Sequence, residues 1–509
     1  MRENLAIGID FGTTNSIAAA WGEDVLKIQP QPEAFWDTSD GRKRPHASVV
    51  WYSPDSNPIV GNAARAKMGA LGGAMGNRFI RSIKRSLGDD RPHELIGGQR
   101  AAGFEIAANI FQHIRDHATS SQLLRAREIT ECVVTVPVTF SGRQRKDIRR
   151  AVERAGMKLR GFLHEPFAAM ISHFYRPGRK LDAARDQRIL VFDWGGGTLD
   201  VCIVQVSKDG KRVVELAHGG IEDHAGDDFD HRLMAQLRTS FLNRHKGIAD
   251  EELALQGDVR DRFWLNAEAG KIDLSHHQKT AVTVANFHQK DGNILDLEES
   301  ITRTDFEALI TAEVDAALRC VQRCLDTARL SAGTIDHVLL VGGTSNIPLV
   351  RERLETLFGH KVQVAHEPDA AIARGAAIVA AEGWRSFNAL ALGVKLCDGT
   401  FFDVLNAGVP LQASSSRTLV FYCTDWRIGS ANLIFARQRV AGDNEVITIG
   451  ETLQVPTKSE VDHEDDLDRI VADFTVTPDA TLHCIAQSTT LGKPVECEIH
   501  DISFGLEVA

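Results

Sequence analysis

The sequence predicts an α/β fold with two related lobes over residues 1–383, followed by an all-β region. Two stretches, 7–16 and 190–200, each contain an apolar run, an aspartate, a turn of glycine and threonine, and a second apolar run. This pattern is typical of strand–turn–strand hairpins, and its repetition indicates that each lobe opens with the same hairpin. Elsewhere in this part, strand-like segments alternate with helix-like ones, as α/β folds require.

The other elements follow in chain order. Glu131–Val138 is strand-like and Arg143–Ala155 helix-like, while apolar residues between Phe306 and Ala328 recur at helical spacing. Val338–Val341 predicts a buried strand that ends at two glycines. Short alternating runs then predict a β-sandwich; they are Thr400–Leu405, Arg417–Cys423, Ala431–Arg437, Glu445–Ile449, Ile470–Val476, Leu482–Ala486 and Val495–Ile499. We divide the chain into residues 1–383, a short linker 384–391 and a β-domain 392–509.

Composition excludes several functional classes. The 509 residues carry a formal net charge of −11, whereas a nucleic-acid-binding surface would be basic. No uncharged run approaches the roughly 18 residues of a membrane span, and the N-terminal apolar stretch is too short for a secretory signal. The eight cysteines form no CxxC pair, which argues against a zinc knuckle. We therefore expect a cytoplasmic protein; the acidic run 458–468 is most simply a solvated loop.

The two hairpins predict a phosphate site. A tight turn of glycine and threonine exposes consecutive backbone N–H groups, which bind phosphate oxygens. Asp10 and Asp193 each precede such a turn and could hold a divalent cation through water. Two ordinary glycine hairpins are the alternative, but the matching position of both aspartates argues against it. Gly342 and Gly343 would allow a flat ring to approach the backbone, as in an adenosine site.

Taken together, these residues resemble the heat-shock protein 70 (DnaK-type) chaperone family, within the actin- and hexokinase-like ATPases. The matching stretches are Ile7–Ser16, Val133–Phe140 with Arg145, Glu165–Ala169, Asp193–Asp200, Asp227–Asp230, Glu268–Ser275, Val341–Pro348, Pro368–Asp369 and Gly375–Ala377. They occur in family order and at family-like spacing across 1–383. The β region resembles the family's substrate-binding domain more weakly, best at Ala472–Ile499.

The resemblance implies roles for individual residues in ATP hydrolysis. Lys84 would orient the attacking water and offset charge on the γ-phosphate. Without the resemblance, a solvated lysine in a basic stretch would be the favoured interpretation. Glu165 and Asp193 would position water and cations, Thr198 would contact the γ-phosphate, and Asp10 would hold hydrated Mg²⁺. The phosphates would be gripped by Gly12, Thr13, Thr14, Gly195, Gly196 and Gly197.

The resemblance also implies a nucleoside site and a relay between the domains. Glu268, Lys271 and Ser275 would recognise ribose and adenine, although Ser275 could simply cap a helix. Further nucleotide contacts would come from Gly226, Gly342, Gly343, Asn346 and Asp369. Pro137 and Arg145 match residues that relay the nucleotide state to the substrate domain. Their simpler alternatives are a strand-end proline and a surface arginine.

Four departures mark a divergent, bacterial-like member. Asn346 replaces an arginine that stacks on adenine, which would weaken binding by ~1–2 kcal/mol. Ala225 replaces a glycine in the turn before Asp227. The acidic, leucine-rich linker of the family is not recognisable, which puts coupling of the two halves in doubt. No helical lid is expected after the β-domain, so a bound peptide should exchange faster.

The resemblance implies a slow ATPase and chaperone with ATP or ADP and Mg²⁺ as ligands, and K⁺ as a further candidate cation. The expected partners are unfolded or extended polypeptides, a J-domain co-chaperone and a nucleotide-exchange factor, with no nucleic acid or membrane. The alternative is a nucleotide-switched scaffold for one dedicated partner. A sugar kinase or an actin-like filament protein of the same superfamily fits the quoted motifs less well.

Overall fold

A computed structural model describes most of the chain. The described residues are 4–21, 32–38, 43–53, 56–71, 78–95, 98–121, 124, 128–174, 185–222, 224–253, 257–411, 415–424, 428–439, 445–449, 452–458, 467–477, 479–500 and 502–508. The acidic run 458–468 therefore falls largely outside the described residues. Among the helices that the structure describes, none is long and apolar enough to cross a membrane.

The first lobe is built on a mixed sheet with the strand order β11-β10-β1-β2-β3, and β4 pairs with β2. Its elements are β1 (Asn4–Phe11), β2 (Asn15–Ala20), β3 (Glu33–Phe35), β4 (His46–Ala47), β5 (Val49–Ser53), β6 (Ser56–Val60), α1 (Asn62–Leu71), β7 (Arg78–Arg81), β8 (His93–Glu94), β9 (Arg100–Ala101), α2 (Gly103–Ser120), β10 (Glu128–Val136), α3 (Gly142–Arg154), β11 (Lys158–His164) and α4 (Glu165–Phe174). Apolar side chains of the central strands and of α2 and α3 form a common core.

The second lobe follows the same plan. Its elements are β12 (Gln187–Trp194), β13 (Thr198–Val206), β14 (Arg212–Glu222), α5 (Gly226–Arg244), α6 (Gly257–His276), β15 (Lys279–Lys290), β16 (Asn293–Thr302), α7 (Arg303–Thr327), β17 (His337–Val341), α8 (Pro348–Phe358), β18 (Val362–Val364), α9 (Pro368–Glu382) and β19 (Trp384–Asn388). In the first lobe, β1 pairs antiparallel with β2 and parallel with β10. In the second, β12 pairs in the same way with β13 and β17. The predicted repeat of an aspartate hairpin in two lobes is confirmed.

The remaining strands, except the last one, form two sheets that share one apolar core. They are β20 (Leu392–Lys395), β21 (Phe401–Leu405), β22 (Ser415–Tyr422), β23 (Ser430–Gln438), β24 (Val446–Thr448), β25 (Leu453–Pro456), β26 (Arg469–Val476), β27 (Leu482–Ser488), β28 (Val495–Ile499) and β29 (Phe504–Val508). One sheet has the order β21-β20-β23-β24, with β25 also on β23, and the other has the order β22-β26-β27-β28. All seven predicted strands are present, and β20, β25 and β29 are additional.

The predicted linker differs from the structure. Within 384–391, residues Trp384–Asn388 form β19, which pairs with the C-terminal strand β29. That strand also pairs with β14, so β19 and β29 both belong to the sheet of the second lobe. Trp384 and Phe387 are buried there, which explains why this segment is a strand and not an exposed connector. The division of the chain into domains stays a prediction. Residues 504–508, which it assigns to the β-domain, pair with strands of the second lobe.

Candidate functional site

The turns of the two aspartate hairpins open into one cavity between the lobes. Asp10 reaches it from the end of β1 and Asp193 from the end of β12. Its lining includes most of the predicted phosphate and catalytic residues: Asp10, Gly12, Thr13, Thr14, Lys84, Glu165, Asp193, Gly195, Gly196, Gly197, Thr198, Gly342, Gly343 and Asp369. A ligand in this cavity would therefore contact both lobes at once.

Lys84 and Glu165 form a buried ion pair at the cavity. The distance from Lys84 Nζ to Glu165 Oε1 is 2.6 Å, and each side chain is 7% exposed. Burial alone would lower the pKa of Lys84, but the carboxylates of Glu165 and Asp10 outweigh it, and the pKa is raised. Lys84 is therefore a fixed, charged ammonium group, which overturns the alternative of a solvated lysine.

A strained turn positions Lys84. The lysine lies in the 3₁₀ turn Ile83–Ser86, and the preceding Ser82 has a φ of 54°, in the left-handed region. That conformation costs a residue with a side chain roughly 1–2 kcal/mol. The Ser82 hydroxyl donates to Asp227 Oδ2 at 3.1 Å, across the cleft in the second lobe. The loop that holds Lys84 is thus fixed from the opposite lobe.

The cavity concentrates negative charge. Burial, and then the charge of Glu165, raises the pKa of Asp10 to about 7. The same two causes raise the pKa of Asp200 to about 7, and that of Asp193 is raised as well. These three carboxyl groups and that of Glu165 all interact electrostatically with the Lys84 ammonium. Carboxylate oxygens are the ligands that Mg²⁺ prefers, so the chemistry of the site fits a hydrated divalent cation held by Asp10 and Asp193.

These carboxyl groups should make the metal-free protein less stable at high pH. The pKa of Asp10 is 3.8 in the unfolded chain and about 7 when folded. The folded state therefore binds the proton more tightly, and this stability is complete below pH ~4 and lost as the pH rises through ~7. Each tenfold difference in proton affinity between the folded and unfolded states contributes about 1.4 kcal/mol to the free energy of unfolding. Because this contribution decreases as the pH rises, we expect the unfolding temperature to fall by at least ~3 °C between pH 5.5 and 8.5.

Thermal unfolding in the presence of a chelator measures this effect. In Asp10→Asn the decrease with pH should be clearly smaller, whereas Asp90→Asn, at an exposed position, should behave like the unaltered protein. Equal decreases in the Asp10 and Asp90 variants would contradict the assignment.

The predicted nucleoside residues Glu268, Lys271 and Ser275 lie on α6, outside the residues that line this cavity. Lys271 Nζ donates to the carbonyl oxygen of Gly226 at 2.7 Å and pairs with Asp230 Oδ1 at 2.7 Å. Glu268 is buried and bonded to Arg65 of the first lobe. Ser275 lies in the last turn of α6, so it does not cap the start of a helix.

Gly342 brings the second aspartate hairpin and the predicted adenosine segment together. It has a φ of +78°, and a Cβ atom there would lie 2.5 Å from the Trp194 carbonyl oxygen and 2.6 Å from Asp193 Oδ1. Only glycine satisfies both requirements. The following turn Gly343–Asn346 leaves Asn346 exposed, with no cation at this position to stack on a base.

Contacts across the cleft were not predicted. Arg65 of α1 pairs with Glu268 of α6, and the Arg81 guanidinium lies 4.0 Å from the centre of the Trp264 ring. Thr14 Oγ1 donates to Asp227 Oδ1 at 3.1 Å. Each contact joins the first lobe to the second. Arginines outside any recognisable motif carry no signal in one sequence, so only the fold shows their partners.

The two predicted relay residues occupy different surroundings. Pro137 directly follows β10 and is buried, so both a strand-end role and a relay role remain open. Arg145 is 3% exposed, and its guanidinium donates to the carbonyl oxygens of Phe140 at 2.9 Å and of Ala480 at 3.0 Å. Because Ala480 lies between β26 and β27, Arg145 joins the first lobe to the β-domain and is not a surface arginine.

The fold and the site together define a two-lobed, actin-like nucleotide-binding class with an added β-domain. A family model described as Hsp70 protein matches residues 94–383, more than half of the chain. The chain therefore belongs to the Hsp70 family.

Curated relatives extend the match beyond the lobes. The chaperone protein DnaK of Thermotoga maritima is 32% identical over 437 residues, which is 82% of this chain and 68% of the relative. That of Thermotoga petrophila matches equally well. The chaperone protein DnaK of Halobacterium salinarum is 29% identical over 461 residues, 88% of this chain and 68% of the relative.

Proposed function

We propose that this protein is an ATP-dependent chaperone of the DnaK type that hydrolyses ATP slowly between its two lobes. The carrying observation is the buried Lys84–Glu165 pair, which lines the same cavity as both phosphate-binding turns. A fixed cation beside backbone N–H groups suits a transferring phosphoryl group, whose charge grows on its outer oxygens. J-domain and nucleotide-exchange proteins would be its co-chaperones.

The residues around the cavity would divide the chemistry. A hydrated Mg²⁺ held by Asp10 and Asp193 would offset charge on the phosphates. The Lys84 ammonium donates to Glu165, which fixes its direction, and its other N–H groups are available to orient water. Glu165 has a second carboxylate oxygen that can accept a proton from that water. Thr198, at the second turn, would contact the γ-phosphate.

A groove in the β-domain supports binding of extended apolar segments. It has a volume of about 540 Å³ and lies between β20, β22 and β23. Its lining includes apolar side chains that are unusually exposed: Phe402, Val420, Tyr422 and Ile428. Such a patch on a single chain marks an interaction site. An extended peptide would add backbone hydrogen bonds, and the apolar pockets would select its side chains.

A charge in this groove should weaken peptide binding. Val420 is 51% exposed on β22, so Val420→Asp should fold normally but weaken binding of an unfolded apolar peptide at least ~10-fold, because the carboxylate must lose water on binding. Fluorescence anisotropy with a labelled peptide measures the affinity. Ile485→Asp is the matched control, since Ile485 is 40% exposed on β27 and does not line the groove. Equal affinities in both variants would place the peptide site elsewhere.

The scaffold function remains a second candidate because of the strand pair β19–β29. The β-domain is attached to the second lobe by the strand that precedes it, β19, and by its own last strand, the exit strand β29. This double attachment limits movement of the β-domain. Single-turnover ATP hydrolysis with and without an unfolded apolar peptide separates the two functions. Stimulation by the peptide supports the chaperone. Turnover that the peptide does not change, with one protein co-purifying, supports the scaffold.

A further inference from the structure

The exit strand of the β-domain lies inside the sheet of the second lobe. On one side of β29, Val213 pairs with Leu506 in antiparallel register, and on the other side Asn388 pairs with Phe504. Phe504 and Leu506 are both buried. This strand therefore brings residues of the C-terminal region to the base of the ATPase lobes.

The ring of Phe504 packs at the junction of β11 and α4. Its centroid lies 4.5 Å from that of His164, with the two rings stacked at 30°. It also lies 5.7 Å from the Phe167 ring, edge to face at 81°. The His164 and Phe167 rings contact each other at 6.2 Å. Phe504 thus completes a three-ring cluster in which the other two rings belong to the lobes.

Two residues of this cluster flank Glu165 along the chain. His164 directly precedes Glu165 and is the last residue of β11, while Phe167 is in the first turn of α4. Glu165 opens that helix, and its carboxylate holds Lys84 at 2.6 Å. Movement of either ring would therefore shift the carboxylate that fixes the lysine.

The position of Phe504 is itself closely fixed. A Cβ atom on the next residue, Gly505, would lie 2.4 Å from the Phe387 ring, so only glycine allows β19 and β29 to approach this closely. On the other side, the Ser503 hydroxyl accepts a hydrogen bond from Arg437 at 3.1 Å, and its carbonyl oxygen accepts one from Ala389 N–H at 2.9 Å. The position of the Phe504 side chain therefore depends on the β-domain and on β19 and β29, the two strands that attach this domain to the second lobe.

We propose that Phe504 is a positioning residue for Glu165, and that through this contact the attachment of the β-domain controls the geometry of the Lys84–Glu165 pair. The inference rests on the proposed ATPase function. It requires no contact between Phe504 and the nucleotide. It gives β29 a part in coupling the β-domain to the ATPase site. The linker of this chain lacks the family pattern that would otherwise supply this coupling.

Three variants test the proposal. Phe504→Leu keeps an apolar side chain but removes the ring, whereas Phe504→Tyr keeps the ring, which lines an adjoining cavity of about 470 Å³. Phe435→Leu is the matched control, because Phe435 is equally buried, packs 6.4 Å from Phe474 and lies within the β-domain. The measurements are the single-turnover rate constant, the nucleotide affinity and the amide hydrogen exchange of residues 158–174 in the nucleotide-free chain of 509 residues.

We expect Phe504→Leu to lower the rate constant about 10-fold, as displaced catalytic groups do, with nucleotide affinity nearly unchanged. Amide exchange at the β11–α4 junction should rise in that variant, while Phe504→Tyr and Phe435→Leu should keep the rate and the exchange of the unaltered protein. An unchanged rate in Phe504→Leu overturns the proposal although the ATPase function stands. Absence of turnover in the unaltered protein would instead overturn the proposed function, and unchanged exchange in Phe504→Leu would then also exclude the positioning role.

Discussion

Replacing Lys84 with alanine should reduce single-turnover ATP hydrolysis by about 10²–10³-fold, the usual cost of removing one fixed donor from a developing charge. The ammonium is buried, paired with Glu165 and directed into the cavity between the lobes. Nucleotide binding should persist, because both glycine turns and Gly342 are untouched. Calorimetric titration with ADP and Mg²⁺, beside the hydrolysis measurement, separates the two effects.

The same substitution leaves the carboxylate of Glu165 buried without its partner. Breaking such a pair costs about 3–5 kcal/mol, so thermal unfolding must be measured with and without nucleotide. The double variant Lys84→Ala with Glu165→Gln removes the unpaired charge and should recover stability but not hydrolysis. Lys361→Ala is the control, because Lys361 donates to backbone carbonyl groups and does not line the cavity. Turnover in Lys84→Ala at the unaltered rate would remove the lysine from the catalytic assignment.

The hairpins were predictable because their signal is local. An apolar run, an aspartate and a glycine turn specify a strand, its end and the position of the carboxylate within about ten residues of sequence. The structure accordingly places Asp10 and Asp193 at one cavity. The alternating runs after residue 391 specify strands in the same way. Their pairing into two sheets needed the structure.

Longer-range features could not be predicted from the residues alone. Lys84 lies in a basic stretch that is typical of a solvated surface, and its burial depends on Glu165 in another element. The pairing of β19 with β29 joins strands that are separated by the whole β-domain. Arg65 and Glu268 also meet only across the cleft. In each case, the partner is far away in sequence and neither segment specifies it.

We expect substitution of Arg145 to have the largest effect on the coupling between the lobes and the β-domain. Its guanidinium donates to Phe140 in the first lobe and to Ala480 in the β-domain. Burial lowers the pKa of Arg145 to about 10, so the group is still charged at neutral pH. Residues 137–141, which connect β10 to α3, reach the site directly. Val138 N–H donates to Asp200 Oδ1 at 3.2 Å, and the centre of the Phe140 ring lies 5.4 Å from Lys84 Nζ. Arg145 thus joins the segment that reaches the cavity between the lobes to the β-domain.

Arg145→Ala should therefore abolish the change in hydrolysis rate that a bound peptide causes, measured as the ratio of single-turnover rates with and without peptide. Arg145→Lys should restore little, because an ammonium cannot reproduce the planar fork that bonds both carbonyl groups. Lys146→Ala, at the next and exposed position of α3, is the matched control and should keep the ratio. A ratio that survives in Arg145→Ala would move the relay to other contacts between the lobes and the β-domain. One such contact is that of Arg149 Nε with Asp479 Oδ1, at 2.6 Å.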